Sequence, residues 1–155
     1  MNVEYKSNEL SDLDYVIEIS KKVFTPTAKE ILKSHTKEDW LKRMGNDGLL
    51  LTLYVENNLA GFAFCYIKEE GTMHIWQVGV LEQYRGHKLW SEMYKKIETY
   101  AGAKGFSRIT LNTKRSKFPV MYKFAEEHGF NCYKTEMKDG IEKSFFEKNI
   151  LSPSN

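Results

Sequence analysis

The sequence predicts an α+β fold, in which helices cover both faces of a central, mostly antiparallel sheet of about seven strands. Strand-like and helix-like segments follow one another in the order β-α-α-β-β-β-α-β-α-β-β. The middle strands, residues 49–55 and 59–67, are near-continuous apolar runs, which is typical of strands that are covered on both sides. A chain of 155 residues, 41% of them hydrophobic, supports one core. We therefore predict a single domain over residues 1–150 and a loose tail over residues 151–155.

The first third of the chain is predicted to hold one strand and two helical segments. A short strand opens the chain, and apolar residues at helical spacing over residues 13–24 predict the first helix. Thr25 and the proline after it begin a second segment, because proline is favoured in the first turn of a helix. Thr36 and Asp39 form a capping box further on, so the second segment is expected to break near His35.

The remaining elements are separated by short turns. We predict, in order, strands at 49–55, 59–67 and 73–80, a helix at 87–104, a strand at 106–112, a helix at 119–128, and a closing hairpin at 130–137 and 141–149. The first three of these strands are expected to form an antiparallel meander. The helix that follows them has one continuous apolar face and ends at Gly102 and Gly105.

Charge and composition argue against several classes of protein. Lys and Arg number 23 and Asp and Glu 21, so a formal net charge of +2 does not call for nucleic acid or an anionic membrane as the main partner. Cys65 and Cys132 lie in apolar segments without a Cys-x-x-Cys pair, which argues against a disulfide framework and a metal site. The chain has no signal-peptide pattern at its start and no apolar run that is long enough to span a bilayer. We expect a cytoplasmic protein.

A strand turns directly into a helix within residues 78–98, with Arg85, Gly86, His87 and Lys88 in the loop between them. At such a joint several backbone N–H groups lack a helical acceptor, and the helix dipole adds partial positive charge. Both features favour an anion such as a phosphate. The alternative is an ordinary strand-to-helix turn with solvated cations.

A resemblance to a known family is carried by two stretches, VLEQYRGHKLWSEMYKKIETYAGAKGFSRITLNT and FPVMYKFAEEHGF. They resemble the coenzyme A-binding signature of the GNAT superfamily of N-acetyltransferases. The loop motif of that family reads Gln or Arg, two residues, Gly, one residue, Gly or Ala, and Gln83 and Gly86 match it. Lys88 stands where the family usually has the small residue. The order of elements is similar over nearly the whole chain, and the likeness is sharpest over residues 76–130.

The resemblance implies acetyl-CoA as the acyl donor, no metal, and a donor site built largely from backbone. The N–H groups that would hold the pyrophosphate belong to Arg85, Gly86, His87, Lys88 and Leu89. The backbone of Val78 and Val80 would pair with the pantetheine arm, and the N–H of Val80 would also stabilise the oxyanion. Asn112, at the end of a predicted strand, is expected either to bind a substrate or cofactor amide or to serve in a turn.

Acyl transfer to an amine needs a neutral amine and a proton for the departing thiolate. Tyr122 sits where the family pattern has a tyrosine near the acyl sulfur, and a tyrosine that keeps its proton at neutral pH can act as the general acid. The alternative is an aromatic ring packed against the sheet. His74 is the predicted base, since an ordinary imidazole pKa of about 6.5 suits that role. A histidine hydrogen-bonded in or beside the core is the alternative.

The acceptor pocket is predicted from the fourth strand and the early helices. Alternation places His74, Trp76 and Val78 on one face, before any bulge reverses the phase, so Trp76 is expected to wall the pocket beside His74. Core packing is the alternative for Trp76. Phe24 and His35 are expected to shape the same pocket, because the early helices of the resembled fold overhang it.

The sequence thus predicts an N-acetyltransferase that passes the acetyl group of acetyl-CoA directly to an amine in a ternary complex. A catalytically silent module that binds coenzyme A or a partner stays open, and so does an acetyltransferase acting on aminoacyl-tRNA. The densest group of basic residues has three interpretations: it neutralises the adenosine 3′-phosphate, it docks RNA, or it is a solvated surface. The group consists of Lys104, Arg108, Lys114, Arg115 and Lys117. The amine, a small molecule or a protein, is not specified. A homodimer through residues 144–150 as an edge strand is left open.

Overall fold

The computed structural model describes residues 1–24, 36–86 and 88–150, except for the side chains of residues 23 and 24. Several predictions fall outside these residues. They are the helix start at Thr25, the side chain of Phe24, the residues His35 and His87, and the tail over residues 151–155.

Seven strands and four α-helices make up the described part of the chain. The strands are β1 (Val3–Ser7), β2 (Leu49–Val55), β3 (Asn58–Glu69), β4 (Thr72–Val80), β5 (Arg108–Thr113), β6 (Asn131–Lys138) and β7 (Ile141–Asn149). The helices are α1 (Leu13–Phe24), α2 (Lys37–Met44), α3 (Leu89–Ala103) and α4 (Pro119–Glu127). None of the helices in the described ranges is long and apolar enough to cross a membrane.

All seven strands belong to one sheet, in the order β1-β2-β3-β4-β5-β7-β6. Of the described neighbours, only β4 and β5 run parallel, and every other pair is antiparallel. The predicted α+β class with a mostly antiparallel sheet is therefore confirmed. The meander of β2, β3 and β4 is confirmed as well. The closing hairpin turns at Asp139 and Gly140, which both have positive φ, as a tight hairpin turn requires.

Helices cover both faces of the sheet, as the apolar strands predicted. On one face, called the α3 face, α3 and α4 pack against a core that includes Ile75 and Phe124. On the other face, called the α2 face, α1 and α2 pack against a core that includes Trp40 and Phe62. Each large side chain of this kind contributes about 1.5–3 kcal/mol by leaving water. The sheet therefore separates two apolar compartments.

Helix α2 starts where the sequence predicted. Thr36 is its N-cap, and its hydroxyl accepts a hydrogen bond from the N–H of Asp39 at 3.2 Å. The same hydroxyl donates to the Asp39 carboxylate at 2.8 Å. Gly45, with a φ of 52°, ends the helix. A cap of this type contributes about 1 kcal/mol, and it fixes α2 above the α2 face.

The free edge of the sheet differs from the one proposed for a homodimer. Strand β7 lies between β5 and β6, and residues 144–147 pair with both strands, so this segment is not the edge of the sheet. That prediction is wrong because the last two strands exchange their order in the sheet. Strand β6 forms the edge instead, and all eight of its residues are exposed.

Candidate active site

The sheet opens between β4 and β5, and this opening is called the split. The two strands pair only over residues 72–75 and 108–111. Further along, β4 continues beside β3 up to Val80, whereas β5 continues beside β7 up to Thr113. Within the described sheet the facing edges of β4 and β5 therefore leave each other past this point, and their backbone groups become open to a ligand.

A β-bulge reverses the alternation of β4 at the start of the split. The register shifts between Phe64 and Cys65 of β3, which makes Trp76 the extra residue of β4. Trp76 packs into the core of the α2 face, whereas Val78 packs against the core of the α3 face. The expectation that His74, Trp76 and Val78 share a face is therefore wrong for Val78, because the bulge lies between them.

The backbone N–H groups of Val78 and Val80 point into the split. The N–H of Leu81 donates to the carbonyl oxygen of Ala60 on β3 at 2.8 Å. Successive N–H groups of a strand point to opposite edges, so those of Val80 and Val78 point away from β3. The carbonyl oxygen of Val80 points the same way and accepts a hydrogen bond from Nε of Arg85 at 2.9 Å. The edge of β4 thus offers two donors beside a loop that is fastened to it.

The loop after β4 contains a 3₁₀ turn and a glycine in the left-handed region. Gln83 is exposed within the turn Glu82–Tyr84. The N–H of Arg85 donates to the carbonyl oxygen of Glu82 at 3.2 Å, so this N–H is occupied, contrary to its expected availability for a pyrophosphate. Gly86 has a φ of 88°, and a Cβ built there meets no described atom within 4 Å. The backbone of Gly86 is therefore open to close approach.

The N-terminus of α3 presents backbone donors that the helix does not use. Its first internal hydrogen bond runs from the N–H of Glu92 to the carbonyl oxygen of Lys88 at 3.2 Å. The N–H groups of Leu89, Trp90 and Ser91 have no acceptor inside the helix, and the side chain of Lys88 does not cap them. Such donors, together with the helix dipole, are suited to bind an anion. Lys88 has a φ of 59°, a conformation that costs a residue with a side chain about 1 kcal/mol and suits a small residue better.

Asn112 lies inside β5, opposite Phe145 of β7, so the interpretation as a turn residue is wrong. Its Oδ1 is buried and has no hydrogen-bond partner among the described residues, and the hydroxyl of Thr113 is in the same situation. Both residues lie where β4 has already left β5. Buried polar atoms generally have partners, and an amide-bearing ligand in the split would supply them. A pantetheine arm fits this requirement.

Tyr122 lies on the α3 face. Its half-buried ring meets the ring of Phe146 edge-on, with 5.2 Å between the centroids. The guanidinium of Arg115 lies over the other part of the ring, 4.7 Å from its centroid. Because Phe146 belongs to the core of this face, the tyrosine is held by packing and a cation at the same time. The position of its ring is therefore well defined.

His74 lies on the opposite, α2 face and is only 4% exposed. Its Nδ1 is 2.7 Å from the hydroxyl oxygen of Thr110, the residue beside it on β5. Burial, reinforced by Lys68, Lys143 and Arg43, lowers the pKa of His74 to about 3. The expected pKa near 6.5 is therefore wrong, and the imidazole is neutral at physiological pH.

The proposed acid and the proposed base thus lie on different faces of the sheet. Tyr122 packs with Phe146 on the α3 face, whereas His74 packs with Tyr66 on the α2 face, at 5.4 Å between ring centroids. Trp76 belongs to the second group and contacts Trp40 at 5.0 Å. The split is the place where groups on the two faces can reach one ligand.

The predicted basic group does not form one cluster. Arg108 is held by two carboxylates, those of Glu69 at 2.6 Å and Glu147 at 2.8 Å. Lys104 pairs with Asp47 at 3.8 Å, next to the start of β2. Two of the five cations are therefore partly neutralised, which weakens the interpretation as one docking patch. Glu69 is engaged as well, since it neutralises Arg108.

The sequence of the chain matches the model of the acetyltransferase (GNAT) family over residues 13–130, which is more than half of its length. The chain belongs to the GNAT acetyltransferase family. Its assignment as an acyltransferase is thereby confirmed, and acetyl-CoA is the acyl donor that goes with this family. A search of curated proteins gives no significant match.

Solved GNAT structures share the fold over nearly the whole chain. The PaiA N-acetyltransferase from Thermoplasma acidophilum, solved in complex with coenzyme A, is 21% identical; the match covers 97% of this chain and 100% of that one, with a TM-score of 0.76. The ribosomal-protein-S18-alanine N-acetyltransferase from Escherichia coli is 15% identical, with coverages of 96% and 94% and a TM-score of 0.79. An N-acetyltransferase from Staphylococcus aureus Mu50 is 15% identical; the match covers 96% of this chain and 99% of that one, with a TM-score of 0.77. At these identities the likeness concerns the fold.

Sequence reasoning missed the cations around His74 in this GNAT protein. Arg43, Lys68 and Lys143 come from α2, β3 and β7, and only the sheet brings them together. No local motif marks such an assembly. Within the described residues, no group of three or more His, Cys, Asp or Glu side chains is arranged to hold a metal ion.

Proposed function

We propose that this GNAT protein is an N-acetyltransferase that transfers the acetyl group of acetyl-CoA directly to an amine in a ternary complex. The observation that carries the proposal is the split, because it joins free donors at the N-terminus of α3 to the open edge of β4. Acid and base candidates flank it on opposite faces. Donor and acceptor can therefore approach each other through the sheet.

The donor is proposed to lie along β4 and the N-terminus of α3. The N–H groups of Leu89 and its successors would bind the pyrophosphate, with the open backbone of Gly86 beside them. Val78 and Val80 would pair with the pantetheine arm through the N–H groups that face the split. The buried Oδ1 of Asn112 would accept a hydrogen bond from an amide of the same arm.

Direct transfer is supported by the positions of the two cysteines. Cys65 is buried, and burial raises the pKa of its thiol, which keeps it protonated and unreactive. Cys132 is exposed on β6, at the edge of the sheet and away from the split. Neither thiol is suited to carry the acetyl group, so the acceptor nitrogen itself is proposed to attack.

The proposed catalytic roles follow from the two faces. Tyr122 would donate a proton to the departing thiolate, and the N–H of Val80 would stabilise the oxyanion. The sequence predicted His74 as the base, whereas the role proposed here is that of a hydrogen-bond acceptor. An imidazole with a pKa of about 3 accepts a hydrogen bond from the amine but holds its proton poorly. The amine must therefore arrive with its own pKa lowered.

Two measurements test this function. Calorimetric titration with acetyl-CoA comes first, and release of free thiol in the presence of a panel of amines comes second. Binding followed by amine-dependent thiol release is the expected result. Binding without thiol release for any amine would favour the silent module, for which the strained backbone of Lys88 is the best support. Absence of acetyl-CoA binding would contradict the acetyltransferase function and would leave a silent module that binds a partner.

The nature of the acceptor and the assembly state are further proposals. The S18-alanine enzyme has the same fold, so a protein N-terminus is one candidate acceptor beside small amines. The aminoacyl-tRNA hypothesis loses its support, because the basic group is dispersed and partly neutralised. For a homodimer we propose β6 as the interface, which sedimentation of the purified protein would test.

A further inference from the structure

Four cations lie close to His74 or to Lys143, itself one of the four, on the α2 side of the sheet, and none of them forms an ion pair among the described residues. Arg43 comes from α2, Lys68 from β3, Lys143 from β7, and Lys114 follows β5 directly. Three acidic residues on the neighbouring strands are already paired with other cations. Glu69 and Glu147 pair with Arg108, and Glu136 pairs with Lys134 at 2.7 Å. A region beside the open edge of the sheet thus carries excess positive charge.

Aromatic rings fix the position of Arg43. Its guanidinium lies 4.3 Å from the ring centroid of Trp76 and 5.3 Å from that of Tyr66. The ring of Tyr66 in turn contacts His74. A guanidinium held over aromatic rings can still bind a carboxylate in a bidentate manner through its N–H groups.

Lys143 approaches the same place from the other side of the split. It lies on β7, and its ammonium is 5.2 Å from the ring centroid of Phe145, the residue opposite Asn112. The side chain is partly buried. Burial first, and then the charges of Lys114, Lys138 and Lys68, lower its pKa, with Glu136 opposing them.

The positive potential acts on every titratable group nearby. The pKa of His74 is lowered by burial and by Lys68, Lys143 and Arg43. An ammonium placed beside His74 would experience the same field, which would lower its pKa and release the neutral amine that acetyl transfer requires. The cations would thereby compensate for the weak basicity of His74. They would also repel an acceptor that carries a second positive charge.

We propose that the acceptor of this enzyme is an amine that also bears a carboxylate, which Arg43 and Lys143 bind while the nitrogen faces the split. The inference rests on the proposed acetyltransferase function. A carboxylate is the complementary partner for a fixed guanidinium and a partly buried ammonium.

Three acceptors of equal chain length test the inference: 4-aminobutanoate, butylamine and 1,4-diaminobutane. Thiol release from acetyl-CoA is measured with each of the three. It is also measured with two tripeptides, one that begins with aspartate and one that begins with asparagine. We expect kcat/KM for 4-aminobutanoate to exceed that for butylamine by about 10-fold, and the same ratio for the aspartate tripeptide over the asparagine tripeptide. One charge-assisted hydrogen bond accounts for a difference of this size. The peptides show whether the carboxylate belongs to a small molecule or to a protein terminus.

Variants of the cations supply the matched controls. Lys143→Met and Lys68→Met are expected to remove the preference, and Lys143→Glu is expected to turn it towards 1,4-diaminobutane. A merely structural lysine would not produce that inversion. Lys95→Met removes the same charge from the exposed side of α3 and should leave the preference unchanged.

The outcomes separate this inference from the function on which it rests. If acetyl-CoA binds and the kcat/KM for butylamine or 1,4-diaminobutane equals that for 4-aminobutanoate, the carboxylate proposal is overturned. The acetyltransferase function then stands. If no acceptor releases thiol, both are overturned. Lys68 is exposed, so loss of the preference in its variant cannot be ascribed to unfolding.

Discussion

The two faces of the split are built in different ways. On the α3 face, the proposed donor side depends on backbone: the N–H groups that open α3, a glycine with positive φ and the edge of β4. On the α2 face, the proposed acceptor side depends on side chains that four separate elements contribute, among them Arg43, His74 and Lys143. A backbone site is encoded locally, whereas a side-chain site is encoded only by the fold. Substitutions on each face should therefore have separable effects.

The largest effect is expected for Tyr122→Phe. Loss of the hydroxyl removes the proposed proton donor while the packing against Phe146 is kept, so kcat should fall by about 10²- to 10³-fold. Calorimetry should give an unchanged affinity for acetyl-CoA. Tyr133→Phe, on the exposed edge strand β6, is the matched control and should leave kcat as it is. A Tyr122→Phe enzyme that is fully active would remove this residue from the chemistry.

Gly86→Glu should weaken acetyl-CoA binding by roughly 100-fold, because a carboxylate would repel the pyrophosphate where the helix dipole attracts it. The substitution also strains a residue with a φ of 88°. Gly105→Glu is the control for strain, since Gly105 has a φ of 84° and lies at the other end of α3. Equal loss of affinity in both variants would show that backbone strain, and not repulsion of the pyrophosphate, is responsible.

His74 should make stability depend on pH between about 6.5 and 3. The unfolded imidazole takes up a proton below about pH 6.5, whereas the folded one stays neutral down to about pH 3. The unfolded state therefore binds more protons in this window, and the free energy of unfolding falls by up to ~1.4 kcal/mol per pH unit as the pH is lowered. Denaturant titrations of wild type and His74→Gln should differ in this slope. Parallel curves would contradict the low pKa.

The smallest effect concerns Lys88. Lys88→Gly should raise the free energy of unfolding by roughly 0.5 kcal/mol, because relief of the left-handed backbone slightly exceeds the entropy cost of glycine. Lys88→Ala keeps a Cβ at the same φ and should give no such gain. Urea denaturation of the two variants checks this. A gain for alanine equal to that for glycine would indicate that the charge, and not the backbone, matters.

The same contrast explains what the sequence could predict. The order of the elements, the antiparallel meander of β2, β3 and β4 and the capping box at Thr36 follow from periodicity and caps, which are local signals. The exchange of β6 and β7, by contrast, depends on long-range pairing, and sequence alone placed the free edge wrongly. The pKa of His74 was missed for a similar reason, since burial and the charges of Arg43 and Lys143 come from distant parts of the chain.

The bulge at Trp76 shows an intermediate case. Period-two alternation is a local signal, and it correctly placed His74 and Trp76 together on one face. The bulge is specified by pairing with β3, so the alternation failed two residues later, at Val78. The bulge leaves the backbone of Val78 and Val80 at the split and places their side chains on the α3 face.

The most direct test of the two-sided split is a pair of Michaelis constants measured in Gly86→Glu and Lys143→Met with 4-aminobutanoate as the acceptor. We expect Gly86→Glu to raise KM for acetyl-CoA and leave KM for the acceptor unchanged. Lys143→Met should do the reverse. If both variants raise both constants to the same extent, donor and acceptor do not occupy separate faces of the split.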